Sequence, residues 1–293
     1  SGELITTKEA QRRVLILENP GLDNSHRIVD SMFAGLQLIM PGEIAPAHRH
    51  SPAALRFIME GHGAYTAVGG ERSYMEPGDF IITPAWAWHD HGHEGEGPVV
   101  WMDGLDIPMV AAFGPLFFEV YDGDQAPDTV PPGDSQARYG ANMRPVGESW
   151  DKLESPIFNY PYARSRDALE QMREASDWDP CFGLKMQYVD PTTGHSAMPT
   201  LSTFLQLLPK GFKGETWRTT EGVVYSVTEG SGRVHVTNGE KTTAMDWKEK
   251  DIFCVPCWMP HRLESDGDAV LFSYSDRTAQ EHLGIWREIK GTA

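Results

Sequence analysis

A chain of 293 residues, 40% hydrophobic and 23% charged, is long enough for one large domain or two smaller ones around a substantial core. Its 42 acidic against 25 basic side chains leave a formal charge of −17 at pH 7, which repels the phosphates of nucleic acid and of anionic membrane, so neither is an expected partner. An anionic small-molecule substrate would need cations of its own at the site that binds it.

The N-terminal residues lack the order of charged, apolar and cleavage-site segments that marks a secretory signal, and no apolar run reaches membrane-spanning length. Three cysteines provide no disulfide framework, and a cytoplasmic location is expected. The 29 glycines and 21 prolines punctuate short runs rich in Val, Ile, Phe, Tyr and Trp. "RFIMEG", "GAYTAVGGERSYM", "GDFIITPAW" and "PVVWMDGL" read as short strands separated by turns, a pattern of all-β barrels and sandwiches.

The first chemistry-bearing stretch is "HRH" at His48–His50. On a strand, residues two apart share a face, so both imidazoles enter one space while Arg49 points away. His89, in "HDH" after the tight "TPAWAW" segment, can add a third ligand from another strand. Neutral imidazole suits Fe, Zn, Cu and Ni alike, so the spacing by itself leaves the metal open. His26, His62, His195, His235 and His282 have no partner at useful spacing and are read as ordinary histidines; His93 shares strand parity with His91, but the Gly- and Glu-rich run after it reads as a loop.

Further along, "YDGDQAPDTVPPGDSQ" (121–136) reads as an irregular connection. "RSRDALEQMREAS" follows as a short amphipathic helix, with Leu169 and Met172 three apart, and "TAQEHLGIWREI" is expected to form a second helix near the C-terminus. These helices are expected to pack on the barrels or on another subunit. Cys254-x-x-Cys257 lies in a β-like run broken by Pro256 and is read as a pair of buried structural thiols rather than a redox site.

The second half repeats the first. "AGLQLIMPGE" (34–43) parallels "TFLQLLPKGF" (203–212), and "LRFIMEGHGAY" (55–65) parallels "VVYSVTEGSGRV" (223–234) at one constant offset. After three extra residues, "GDFIITPAWAWH" (78–89) parallels "KDIFCVPCWMPH" (250–261), matching Pro84 to Pro256, Trp86 to Trp258 and His89 to His261. A β-domain has been duplicated. The expected layout is a first barrel over 1–120, a connection with a short helix over 121–195, and a second barrel over 196–293. In the repeat, Trp217 and Thr219 stand where His48 and His50 do, and only His261 survives of the candidate ligands. The second barrel is expected to be metal-free, with its interior filled by side chains.

Gly42-x5-His48-x-His50, then Gly61, then Gly78-x5-Pro84-x4-His89, resembles the two motifs of the cupin superfamily. The glutamate that often follows H-x-H is missing, and position 56 is arginine. Together with "RRVLILENPGL", "AGLQLIMPGE", "PGDFIITP" and "PVVWMDGLDIP", this resembles the gentisate 1,2-dioxygenase family, whose relatives include salicylate and 1-hydroxy-2-naphthoate dioxygenases. The resemblance runs from about residue 8 to the end, specific in the first copy and looser in the second.

The resemblance implies an all-β bicupin, two jelly-roll barrels with a few short helices in the connection and at the C-terminus. It implies Fe(II) held by His48, His50 and His89, a small hydroxylated aromatic acid and O2 as substrates, and assembly as a homotetramer. Both oxygen atoms would be inserted as the ring opens between the carboxyl-bearing carbon and its hydroxyl-bearing neighbour, which turns gentisate into maleylpyruvate. Carried over by position, Arg56 supplies the local cation for substrate carboxylate or for charge developing on oxygen. His91 acts as acid/base or hydrogen-bond donor, and Asp103 orients His91 or Arg56 from behind. Gln37 hydrogen-bonds the substrate, or is structural, since its counterpart Gln206 persists in the repeat. Of the tandem Arg12-Arg13, Arg12 is the expected partner of the substrate carboxylate. Two rivals remain at this level: a cupin isomerase or dioxygenase using Mn, Ni or Zn, and a non-enzymatic bicupin that binds or stores.

Overall fold

The computed structural model describes residues 13–22, 26–175 and 178–291. The chain divides into two compact units. One takes in the described residues up to Arg27, Met32–Tyr162 and Val189–Met198; the other comprises Ile28–Ser31, the described part of 163–188, and the chain from Pro199 onward. Of residues 121–195, 121–162 and 189–195 fall in the first unit and 163–188 in the second.

The first unit is built from β1 (Val14–Leu17), β2 (Phe33–Ile39), β3 (Ile44–His50), β4 (Ala54–Glu60), β5 (Ala64–Val68), β6 (Glu71–Tyr74), β7 (Phe80–Thr83), β8 (His89–His93) and β9 (Val99–Leu105). Helix α1 (Ile107–Phe113), β10 (Phe118–Val120), α2 (Asp134–Tyr139) and β11 (Asn159–Tyr160) follow. Two antiparallel sheets result, in the order β1-β2-β9-β4-β7-β11 and β10-β3-β8-β5-β6. The β5–β6 hairpin turns on Gly69 and Gly70, at φ of 58° and 89°. Two consecutive positive φ values define the primed turn whose twist matches paired strands, and glycine reaches them without steric cost.

One end of this barrel is apolar: Ile39, Ile58, Ala64, Met75, Ile81, Val99 and Trp101 form a buried cluster. The other end is polar, and the break in the β3–β8 pairing lies there. Ala45 pairs with His91 and His48 with His89, with a bulge between. Pro46 sits in that bulge; having no N–H, it cannot continue the ladder.

The second unit contains α3 (Tyr162–Ala175, beginning at the boundary), β12 (Leu184–Gln187), β13 (Ser202–Leu208), β14 (Trp217–Thr219), β15 (Val223–Glu229), β16 (Ser231–Asn238) and β17 (Lys241–Lys248). It closes with β18 (Ile252–Val255), β19 (His261–Ser265), β20 (Ala269–Ser275), α4 (Arg277–His282) and β21 (Glu288–Lys290). Its sheets run β12-β13-β20-β15-β18 and β17-β16-β19-β14-β21, the same connectivity as in the first unit. The expected amphipathic helix is α3, which buries Leu169 and anchors through Arg166 to Glu229 and Arg173 to Asp268.

Two expectations need correction. The predicted C-terminal helix ends after six residues, at Gly284 with φ of 72°, and the chain then adds β21 to the edge of β14, pairing Arg218 with Ile289. Satisfying an open strand edge outweighs a short run of helical periodicity. Of the two thiols expected to be buried, Cys257 is exposed and Cys254 half-buried. Burial pushes the Cys254 thiol up to about 11 and also raises that of Cys257, the opposite of what redox chemistry needs. Among the described residues no helix is long and apolar enough to cross a membrane.

Candidate metal centre

His48, His50 and His89 are all buried, and one nitrogen from each lies within 4.8 Å of the others. Strand parity brings the first two together, and the rung pairing His48 with His89 brings the third. Each ring is held from behind. His48 Nδ1–H donates to the Pro46 carbonyl at 2.8 Å, His50 Nδ1–H to Pro52 at 2.7 Å, and His89 Nδ1–H to Ala87 at 3.0 Å. A carbonyl oxygen only accepts, so these bonds fix the hydrogen on Nδ1 and leave the Nε2 lone pair for a metal. The bulge at Pro46 thus helps aim a ligand. His89 Nε2 is buried with no hydrogen bond, and burial, followed by the nearby charges of His48, Arg56, His50 and His91, holds its pKa well below the usual imidazole value. A ring kept neutral suits coordination. The donor set therefore fits a metal ion of the imidazole-preferring kind.

The turn before β8 ties the two ligand-bearing segments to each other. Trp86, at φ of 62°, donates its backbone N–H to the His50 carbonyl at 2.8 Å. Arg49, facing away from the metal cluster, places its guanidinium 4.5 Å from the Trp86 ring and 4.5 Å from that of Trp88. Phe118, on the neighbouring strand, stacks on His48 with ring centres 5.3 Å apart.

Around this cluster the structure gathers most of the residues expected from sequence. Arg56 and Asp103 face each other as cross-strand partners, both buried, with Arg56 Nε 3.5 Å from Asp103 Oδ1. Arg56 also donates to the Thr83 hydroxyl, and Trp101 Nε1–H donates to Asp103 Oδ1 at 3.0 Å. Asp103 thus backs Arg56, while His91 Nδ1 makes its hydrogen bond with Thr66 Oγ1, at 2.6 Å. Gln37 is fully buried, and among the described residues neither end of its amide has a hydrogen-bond partner. Such an amide is costly to bury unless something completes it. Arg12 lies outside the described residues. Its neighbour Arg13 is buried in an ion pair with Glu43. Sequence reasoning missed Thr66, Thr83 and Phe118, whose roles come from cross-strand register, and Trp101, two residues before Asp103 on the same strand.

In the second unit the rung corresponding to His48–His89 is Trp217–His261, with ring centres 4.6 Å apart. Among the described residues, the His48, His50 and His89 group is the cluster able to hold a metal ion.

Two β-barrels of one topology, one of them carrying three carbonyl-backed imidazoles beside a buried Arg–Asp pair, define a metal-binding bicupin; residues 35–107 match the cupin domain family. The chain is 59% identical over 288 residues to gentisate 1,2 dioxygenase 1 of Aquipseudomonas alcaligenes, covering 98% of this chain and 82% of that one. It is 37% identical to 5-aminosalicylate 1,2-dioxygenase of Comamonas sp, over 98% and 77% of the two chains. The fold superposes with a TM-score of 0.92 on salicylate 1,2-dioxygenase from Pseudoaminobacter salicylatoxidans, solved as adducts with gentisate, at 34% identity over 100% of this chain and 81% of that one. The chain belongs to the gentisate 1,2-dioxygenase family of ring-cleaving cupin dioxygenases.

Proposed function

We propose that this protein is an iron(II)-dependent dioxygenase that opens the ring of gentisate between the carboxyl-bearing carbon and its hydroxyl-bearing neighbour, yielding maleylpyruvate. The carrying observation is the trio of uncharged Nε2 donors beside a buried arginine. When bound, the metal supplies a common template and an electron conduit for O2 and the aromatic acid. Three neutral ligands contribute no negative charge, so the carboxylate and ortho-hydroxyl oxygens of an anionic substrate meet a fully cationic centre.

The protein's own groups do the rest. Arg56, kept charged and aimed by Asp103, offers its remaining guanidinium donors to substrate carboxylate or to charge developing on oxygen. The Gln37 amide takes a polar group of the substrate, which completes hydrogen bonds it otherwise lacks. His91 donates to, or exchanges a proton with, a substrate oxygen. Arg12 remains the candidate for the substrate carboxylate. The buried floor excludes water around these groups and strengthens their electrostatics.

The 59% relative favours gentisate over salicylate or 1-hydroxy-2-naphthoate as the substrate of this chain. A storage or purely binding bicupin has no use for a complete ligand set with fixed tautomers. The same reading makes it a cytoplasmic homotetramer, a proposal with the following support. Cys181, Cys254 and Cys257 form no disulfide, which fits a reducing compartment. The exposed run Phe113, Leu116, Phe117, Phe118 and Val120 offers apolar area for subunit contact.

Anaerobically purified protein, reloaded in turn with Fe(II), Mn(II), Ni(II) or Zn(II), is mixed with gentisate, salicylate and 1-hydroxy-2-naphthoate under an oxygen electrode. Uptake of one O2 per gentisate by the iron form alone is the expected result. No uptake with any of the three acids would overturn the assignment.

A further inference from the structure

The buried imidazoles at the polar end of the first barrel differ in what stands behind Nδ1. For His48, His50 and His89 it is a carbonyl oxygen, at 2.8, 2.7 and 3.0 Å. For His91 it is the hydroxyl of Thr66, at 2.6 Å, from the residue directly opposite on β5. A hydroxyl has a single hydrogen to give. Its alternative acceptor, the Asp90 carbonyl, lies 3.4 Å away, beyond the roughly 2.5–3.0 Å of an ordinary O–H···O bond. The hydroxyl oxygen can also accept, but the shorter contact is the better place for its hydrogen, with Nδ1 as the acceptor.

We infer that Thr66 is a positioning residue that holds His91 in the Nε2–H tautomer, so that this imidazole serves as a hydrogen-bond donor to substrate oxygen and is withheld from the metal as a fourth ligand. The two H-x-H pairs have the same spacing, and the group behind each ring separates ligand from donor. A neutral ring whose Nδ1 accepts has its hydrogen on Nε2 and no lone pair there for coordination.

The duplication supplies an independent observation. In the first barrel Val68 pairs with His89 and, two residues away on each strand, Thr66 pairs with His91. In the second barrel Val236 pairs with His261 and, at the same interval, Val234 pairs with Leu263. All four residues of the Thr66–His91 and Val234–Leu263 pairs are fully buried. Where the imidazole has become leucine, the threonine has become its nearly isosteric hydroxyl-free counterpart, although the carbonyl-backed His261 remains. The hydroxyl and the donor ring go together, as expected of two members of one hydrogen bond.

The catalytic consequence rests on the ring-cleaving reading; the tautomer does not. Protein carrying 15N-labelled histidine and loaded with Zn(II) as a diamagnetic probe reports which ring nitrogen bears hydrogen through two-bond nitrogen–proton correlations. The His91 signals are those lost in His91→Gln. Wild type and Thr66→Ser should show His91 with hydrogen on Nε2, and Thr66→Val should show the Nδ1–H form or a mixture. In iron-loaded enzyme with gentisate, Thr66→Val should lower kcat about 100-fold, the lower end of what a positioned proton-bearing group contributes. KM and bound metal should stay within about twofold, and Thr66→Ser should restore at least about half of kcat. Hydrogen on Nδ1 of His91 in the wild type, or a Thr66→Val enzyme with wild-type kcat, would overturn the inference. If wild type consumed no oxygen with any hydroxybenzoate, the functional reading would fall while the spectra still decided the tautomer. Should Thr66→Val not fold, the wild-type and Thr66→Ser spectra decide it alone.

Discussion

The two barrels share a scaffold and differ in what it holds. In the first, Trp86 at φ of 62° gives its N–H to the His50 carbonyl at 2.8 Å, and His89 Nδ1 meets a carbonyl at 3.0 Å. In the second, Trp258 at φ of 62° gives its N–H to Thr219 at 2.7 Å, and His261 Nδ1 meets the Met259 carbonyl at 3.1 Å. The backbone device that aims a ligand persists where the other two ligands have gone. Side chains, by contrast, change as cross-strand pairs: Arg56–Asp103 corresponds to Tyr225–Ser273, and Thr66–His91 to Val234–Leu263. A turn is fixed by local geometry and survives any substitution that tolerates it, whereas the buried Arg56–Asp103 ion pair and the Thr66–His91 hydrogen bond are each replaced at both positions, since half of either would strand a buried polar group.

What fills the second barrel bears this out. Trp217 and Tyr225 are buried, and the Lys185 ammonium lies 4.4, 5.4 and 6.0 Å from the Phe204, Trp217 and Tyr225 rings. Burial draws that amine down to about 8, against an opposing pull from Glu221.

The strongest way to break the comparison is to remove corresponding histidines. His50→Ala should weaken metal retention by at least about 100-fold, beyond the usual loss from disturbing an outer hydrogen bond, and abolish turnover. His261→Ala should leave metal stoichiometry unchanged. Elemental analysis after dialysis reads both, and equal metal loss would mean that the barrels do not differ in function.

A second test compares the buried pairs. Arg56→Met leaves Asp103 as an uncompensated buried charge and should cost about 3–5 kcal/mol of stability, as well as activity. Tyr225→Phe removes a hydroxyl that is buried without a hydrogen bond and should change stability by less than about 1 kcal/mol, in either direction. Denaturant midpoints of the two variants provide the measurement.

The smallest effect concerns pH. Burial holds His261 neutral, with a pKa of about 4 against 6.5 for the free ring. The unfolded chain therefore binds a proton that the folded one refuses between those values. Stability from this group is complete above pH 6.5 and falls as pH drops through 6.5 toward 4, by at most about 3 kcal/mol. In His261→Leu the thermal midpoint should decline less between pH 7 and pH 4.5 than in wild type. An identical slope would show that the ring is not buried and neutral.

Much of the site was legible because strand parity is so short a period. H-x-H told that His48 and His50 share a face, and the repeat told that the second copy had lost both. Arg56, Asp103, His91 and Gln37 followed from resemblance; all four are buried, Arg56 faces Asp103, and the His91 ring lies 6.1 Å from that of His89. Thr66 was not legible, since it meets His91 through a pairing 25 residues distant, set by the closed sheet. The C-terminal strand was missed for a related reason: its helical pattern was local, and the edge of β14 that captured it was not. Cys257 was misjudged because an apolar neighbourhood in sequence says little about which face of a turn looks outward.

The sequence by itself determined the duplication, the strand-rich class, the two-residue spacing of the ligands and the loss of those ligands in the repeat. All of these are properties of residue type and interval. The carbonyls behind His48, His50 and His89 lie two residues away along the chain, whereas tertiary structure decided that a hydroxyl stands behind His91, and hence which of its nitrogens carries hydrogen. For His91 that choice depends on a contact of under 3 Å with a strand 25 residues away, and the number of residues separating two histidines does not encode it.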